Sequence, residues 1–191
     1  MYCGSSSGVR AEYLSAAADT GRILAERGLE LVYGGGHVGL MGAVANGSLE
    51  NGGVVHGIIT SALLDAEVGH SGLTSLEVVS TMHERKSRMA DLADAFLALP
   101  GGFGTLDELC EVLTWTQLGI QRKPIALVNV CGYWDGLISM TSTAVEEGFV
   151  RASHGELLRS AAGATGAIDL LFAPIPLPEP KWIERPQELR R

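Results

Sequence analysis

The 191-residue chain has no apolar run near the roughly 20 residues that a membrane-spanning helix requires. Its first residues, Met1-Tyr2-Cys3-Gly4-Ser5, carry neither a basic stretch nor an apolar core, which predicts no secretory signal. Basic residues are scarce, with 14 Lys and Arg against 22 Asp and Glu and a formal charge of −8. That balance argues against a nucleic-acid or membrane-surface partner. The cysteines, Cys3, Cys110 and Cys131, are odd in number and widely spaced, so they read as reduced thiols of a cytoplasmic protein. No C-x-x-C or H-E-x-x-H occurs, and the histidines at 37, 56, 70, 83 and 154 show no ligand spacing, so no metal is expected.

Glycine is in excess. There are 25, about 13% of the chain against a usual value of about 7%. They are not periodic, which excludes a collagen-like chain. With 46% apolar residues the composition is globular.

Short apolar runs alternate with longer helical patterns. Strands are expected over 29–33, 54–59, 76–79, 95–99 and 125–130, with a short one near Leu157-Leu158. Helices are expected over 12–27, 40–49, 84–92, 106–118, 134–148 and 164–171. Near-continuous apolar strands between amphipathic helices predict an α/β fold, a single Rossmann-like doubly wound parallel sheet with helices on both faces. The expected domain spans 1–173. A proline-rich tail over 174–191 follows, either pinned by Trp182 or loose. Only Met1-Tyr2-Cys3 precede the first loop, where a central strand of about five residues is usual.

The glycines cluster where strands end. Cys3-Gly4-Ser5-Ser6-Ser7-Gly8 follows the first strand, Gly34-Gly35-Gly36-His37-Val38-Gly39 the second, and Pro100-Gly101-Gly102-Phe103-Gly104-Thr105 the strand over 95–99. Each joins a strand to a helix, whose first N–H groups and partial positive charge suit an anion, so the three together suggest a phosphate-bearing ligand. Gly34-x-Gly36-x-x-Gly39 matches the dinucleotide fingerprint, but the following strand ends Ile59-Thr60 without the ribose-binding acid, which disfavours NAD. No G-x-x-x-x-G-K-[ST] is present, which excludes a P-loop.

Glu108 is placed in the first turn of the helix after the third loop. Thr105-x-x-Glu108 reads equally as a capping box, with Glu108 closing on the Thr105 N–H. Met82-His83-Glu84-Arg85-Lys86-Ser87-Arg88 is the densest basic cluster, with Arg85 standing 23 residues before Glu108. It reads either as a solvated helix face or as part of the same mouth.

Taken in order, Gly34-Gly35-Gly36-x-x-Gly39-Leu40-Met41-Gly42, Met82-His83-x-Arg85-Lys86 and Pro100-Gly101-Gly102-x-Gly104-Thr105-x-x-Glu108 resemble the signature of the "lonely guy" family. These are cytokinin riboside 5′-monophosphate phosphoribohydrolases. The resemblance implies hydrolysis of the N-glycosidic bond of an N6-modified adenosine monophosphate, giving free base and ribose 5-phosphate. It implies Arg85 and Glu108 as the catalytic pair. Substrate contacts are implied at Lys86, Gly102, Phe103, Gly104, Thr105, Thr114, Glu67, Gly35, Gly36, Met82 and Ser5. It implies a homodimer and a nucleoside monophosphate ligand, with neither metal nor cofactor. A glycosidic cleavage builds positive charge on the sugar, which a carboxylate such as Glu108 stabilises. Arg85 stays charged and suits holding a phosphate, a ribose hydroxyl or Glu108 itself.

Three other readings compete. One is a non-catalytic nucleotide carrier on the same fold. A second is a nucleotidase or a general AMP nucleosidase. The third is a lysine decarboxylase, which needs a Schiff-base lysine among Lys86, Lys123 and Lys181.

Overall fold

A computed structural model describes residues 1–67 and 69–174. The helices are α1 (Ala11–Glu26), α2 (Gly39–Leu49), α3 (Ser61–Glu67), α4 (Met82–Leu92), α5 (Phe103–Gln117), α6 (Asp135–Glu146), α7 (Ala152–Gly155) and α8 (Ala164–Phe172). The strands are β1 (Leu31–Tyr33), β2 (Val55–Thr60), β3 (Ser75–Val79), β4 (Phe96–Ala98), β5 (Ile125–Val128) and β6 (Arg159–Ala161).

All strand pairs are parallel, in two blocks ordered β1-β2-β3 and β4-β5-β6. Residues 1–3 join the blocks. Tyr2 bridges Ala98 in parallel, donates to the Leu97 carbonyl at 2.9 Å and accepts from the Leu99 N–H at 2.9 Å. On the other side the Met1 ammonium donates to the Val32 carbonyl at 2.5 Å. Residues 1–3 therefore occupy the central position, and the sheet runs β3-β2-β1, then 1–3, then β4-β5-β6. The order reverses beside that segment. This is the switch point, where ligands of open parallel sheets bind at the carboxyl ends of the strands.

Side-chain alternation divides the core. Met1 and Cys3, Leu97 and Leu99, and Ala126 and Val128 pack on one face with α1, α2 and α8. Tyr2, Phe96 and Ala98, and Ile125 and Leu127 pack on the other with α4, α5 and Trp134. Successive strand residues thus feed opposite layers, which is why these runs read as continuously apolar.

Several boundaries differ from the sequence expectation. The strand near Leu157-Leu158 lies two residues later, as β6. Helices α3 and α7 lie where none was expected. The helix expected from 84 starts at Met82, because Thr81 caps it: Thr81 Oγ1 accepts from the Glu84 N–H at 3.1 Å and Glu84 Oε2 accepts from the Ser80 N–H at 2.9 Å. The helix expected from 106 starts at Phe103, with Gly102 as its N-cap. Thr105 is then its third residue and Glu108 its sixth, so the Thr105–Glu108 capping box does not form and Glu108 lies in the second turn. The side-chain cap belongs instead to Thr81, and Glu84 reaches back one residue further, to the Ser80 N–H. The tail beyond 174, with Trp182, lies outside the described residues.

Candidate active site

At the switch point the loops after Cys3, Tyr33 and Leu99 meet α4. A crevice of about 270 Å³ opens there, lined by Gly4, Ser5, Gly34, Met41, Met82, Arg85, Asp107, Glu108 and the turn from Gly102 to Thr105. A cavity of about 570 Å³ opens at the opposite, amino ends of β1 and β4, among Leu24, Leu31, Leu97 and Leu171. Its one polar pair, His56 to Glu30 at 2.8 Å, sits on a partly exposed rim. The smaller crevice has the chemistry, because it alone of the two holds buried charges that face each other.

Arg85 and Glu108 are that pair, exposed by 6% and 9%. Arg85 Nε donates to the Ile58 carbonyl at 2.9 Å and Nη2 to the Gly34 carbonyl at 3.1 Å. Nη1 stands 3.5 Å from Glu108 Oε1. One carbonyl within β2 and one just past β1 therefore fix the guanidinium, and its remaining edge faces the carboxylate. Of the three partners weighed for Arg85, Glu108 is the one that stands beside it here. Gly34 makes the approach feasible, since a Cβ there would lie 2.2 Å from Arg85 Nη2. Burial raises the Glu108 carboxyl above the usual carboxylate range, and the opposing pull of Arg85 does not cancel it. A buried carboxyl with a raised pKa beside a fixed cation in a cleft is the pattern of a functional site. Cys3, also at the crevice, is no competing nucleophile, because burial pushes its thiol up to about 12.

The three glycine loops do not play one part. The Leu40 and Met41 N–H groups of α2 donate to the Gly4 carbonyl at 3.1 and 3.3 Å. The second loop's helix start is thus closed by the first loop instead of being open to an anion. Helix α1 starts at Ala11, well past Ser5. Only the α5 start opens into the crevice, where Phe103, Gly104 and Thr105 occupy the first helical turn and have no acceptor within the helix. All three loops line the crevice, and among them the third is the one whose helix start is left open to it.

Other expected site residues are spread more widely. Ser5, Met82, Gly102, Phe103, Gly104 and Thr105 line the crevice. Lys86 stands beside it, its Nζ 3.1 Å from Asp107 Oδ2 and 3.2 Å from Glu111 Oε1. Gly35 and Gly36 are engaged elsewhere: the Gly35 carbonyl accepts from the His70 N–H at 3.0 Å and the Gly36 carbonyl from Tyr33 Oη at 3.1 Å. Thr114 is exposed further along α5, with its hydroxyl on the Cys110 carbonyl at 2.7 Å. Glu67 ends α3, and its side chain lies outside the described part. Sequence reasoning missed Asp107 as a lining residue and the Gly34 and Ile58 carbonyls as ligands of Arg85. A long-range pairing across 51 residues leaves no local signal.

The family described as "Possible lysine decarboxylase" matches residues 41–171. The cytokinin riboside 5′-monophosphate phosphoribohydrolase LOG of Oryza sativa subsp. japonica is 48% identical over 164 residues, covering 86% of this chain and 68% of its own. The phosphoribohydrolase LOG3 of Arabidopsis thaliana is 46% identical over 176 residues, covering 91% of this chain and 82% of its own. Among solved structures, the molybdenum cofactor binding protein from the phototrophic bacterium Rippkaea orientalis superposes with a TM-score of 0.67 at 21% identity, over 89% of this chain and 92% of that one. At that identity the likeness shows the fold alone. The identities to the plant proteins, sustained across most of the chain, do more: the chain belongs to the lonely guy family, the cytokinin riboside 5′-monophosphate phosphoribohydrolases.

Proposed function

We propose that the chain hydrolyses the N-glycosidic bond of adenosine 5′-monophosphates carrying an N6 substituent, cytokinin riboside monophosphates among them, to free base and ribose 5-phosphate. Membership of the family supports the reaction. The observation that carries the assignment of residues is the buried Arg85–Glu108 pair facing the open start of α5.

In this reading the phosphate end sits against the first turn of α5, where free N–H groups and the helix dipole favour an anion. That places the sugar toward Glu108, one turn further along the same helix. As the bond to the base lengthens, its electron pair leaves with the base and C1′ gains positive charge. The Glu108 carboxylate stabilises that charge and orients water for attack, and the proton that water loses balances the one the departing base takes up. A raised pKa makes Glu108 the stronger base for that water. Arg85 keeps the carboxylate aimed and charged. Ser5 from the first loop and Met82 from the start of α4 bound the ligand, and Lys86 braces α4 against α5 through Asp107 and Glu111.

The lysines speak against a Schiff-base decarboxylase. Desolvation pulls the Lys86 ammonium down, but its bonds to Asp107 and Glu111 outweigh that and hold it protonated. Lys123 Nζ donates to the Ala90 carbonyl at 2.6 Å. Lys181 lies outside the described residues. A homodimer is also part of the proposal. Helix α6 has no buried residue, and Ile120, Met140 and Phe149 are exposed apolar side chains that a second copy would cover. Sedimentation giving a single-chain mass at micromolar concentration would remove it. A reducing, cytoplasmic setting fits the free cysteines Cys3, Cys110 and Cys131. No helix among the described residues is long and apolar enough to cross a membrane.

The test is product identification after incubation with AMP and, separately, isopentenyladenosine monophosphate. We expect free base and ribose 5-phosphate in equal amounts, with the N6-modified nucleotide consumed faster. Inorganic phosphate with intact nucleoside would overturn the bond assignment. Equal rates on both nucleotides would favour a general AMP nucleosidase.

A further inference from the structure

Tyr133 lies outside every motif described above, yet its hydroxyl reaches the phosphate-end loop. It donates to the Gly101 carbonyl at 2.5 Å, from 32 residues further along the chain. The Gly101–Gly102 peptide is trans. In a trans peptide the carbonyl and the following N–H point in opposite directions. Holding the Gly101 oxygen toward Tyr133 therefore turns the Gly102 N–H the other way. Gly102 is the N-cap of α5 and a wall of the crevice. The neighbouring carbonyl is held as well, since Pro100 accepts from the Gly4 N–H at 3.0 Å.

The segment that carries Tyr133 is built to place it. After β5 the chain reverses through Cys131 at φ 53° and Gly132 at φ 70°. Cys131 is the one non-glycine at positive φ among the described residues, a conformation that tends to mark positions under functional constraint. Asn129 locks the reversal: its Oδ1 accepts from the Trp134 N–H at 2.7 Å and its Nδ2 donates to Asp135 Oδ1 at 2.8 Å. Trp134 is buried at 2% exposure and meets the Tyr133 ring edge-on at 5.0 Å, while Tyr13 meets the same ring from α1 at 5.8 Å. The ring is met edge-on by Tyr13 and Trp134, its remaining surface is exposed, and its hydroxyl reaches Gly101.

We infer that Tyr133 is a positioning residue that aims the Gly102 N–H at the phosphate of the bound nucleotide. The inference rests on the nucleotide reading given above. It differs from a packing role, because the aromatic ring alone would fill the space between Tyr13 and Trp134 equally well.

Tyr133→Phe keeps the ring and removes the hydroxyl. The readout is calorimetric affinity for ribose 5-phosphate and for adenosine, which lacks the phosphate, so no hydrolysis is needed. We expect ribose 5-phosphate to bind about tenfold more weakly, with adenosine affinity and the thermal midpoint unchanged. In turnover the same variant shows a raised KM with kcat within about twofold. Ribose 5-phosphate affinity within twofold of the native protein overturns the inference while leaving the nucleotide reading intact. An equal weakening of both ligands also overturns it, as a merely structural effect. If the native protein itself binds no ribose 5-phosphate, the nucleotide reading fails and the inference with it.

Discussion

Glu108→Gln abolishes base release, lowering kcat by about 10³-fold, while the fold and the affinity for ribose 5-phosphate persist. Glutamine has nearly the shape of glutamate and still offers Arg85 Nη1 an oxygen, so the contact now at 3.5 Å survives. What it lacks is the charge that stabilises the developing sugar cation and the basicity that takes the water proton. Stability moves the other way. Because the folded-state pKa of Glu108 is raised, its contribution to stability is fully present below the unfolded value and is lost as pH rises through the folded one. At neutral pH the glutamine variant therefore melts no lower than the native protein. Chromatography of products and a thermal scan read both outcomes. Undiminished hydrolysis removes Glu108 from the chemistry. The same variant addresses a carrier function, since a carrier would bind nucleotide but show no native turnover for the substitution to abolish.

Arg85→Met has the larger cost in stability, about 3–5 kcal/mol. It leaves the Glu108 carboxylate buried without its cation, and it orphans the Ile58 and Gly34 carbonyls that Nε and Nη2 now satisfy. Turnover falls with it, because the carboxylate is no longer aimed and its pKa climbs further. The diagnostic is the double variant Arg85→Met with Glu108→Leu. Removing both charges recovers much of the lost stability and none of the activity, a non-additivity measurable as denaturant midpoints at constant slope. Additive losses would mean that the two side chains do not depend on each other and that the 3.5 Å pairing is incidental.

Much of the molecule was legible before its structure. Ala126 and Leu127 sit in one apolar run because neighbours along a doubly covered strand point into different cores. The glycine loops fall at strand ends because the chain must turn sharply there into a helix. That Arg85 and Glu108 share one mouth was left open by the residues themselves and implied by the family resemblance that the ordered motifs carry. Other features were legible but assigned to the wrong place. Thr81-x-x-Glu84 has the same spacing as Thr105-x-x-Glu108, and local pattern alone does not say which threonine ends a strand-like stretch and which lies inside a helix begun at a glycine. The remainder was not local at all. That the Gly4 carbonyl closes the start of α2 depends on two loops, more than 30 residues apart, packing together. That Arg85 spends two of its edges on a carbonyl within β2 and one just past β1 depends on β1 and β2 lying side by side. Tyr133 reaches Gly101 only because β4 and β5 are neighbours. Sequence period reports which face of an element is buried, and such contacts between the ends of elements lie outside it.

The central claim is that a buried carboxyl, Glu108, must be ionised for the N-glycosidic bond to break. The pH profile of kcat/KM on isopentenyladenosine monophosphate tests this most directly. Burial raises the Glu108 pKa, so activity should climb with pH along an acid limb lying above the ordinary glutamate value of about 4.3. That limb should be missing from the residual activity of Glu108→Gln. A limb at the ordinary carboxylate value, or one that persists unchanged in the glutamine variant, would contradict the account.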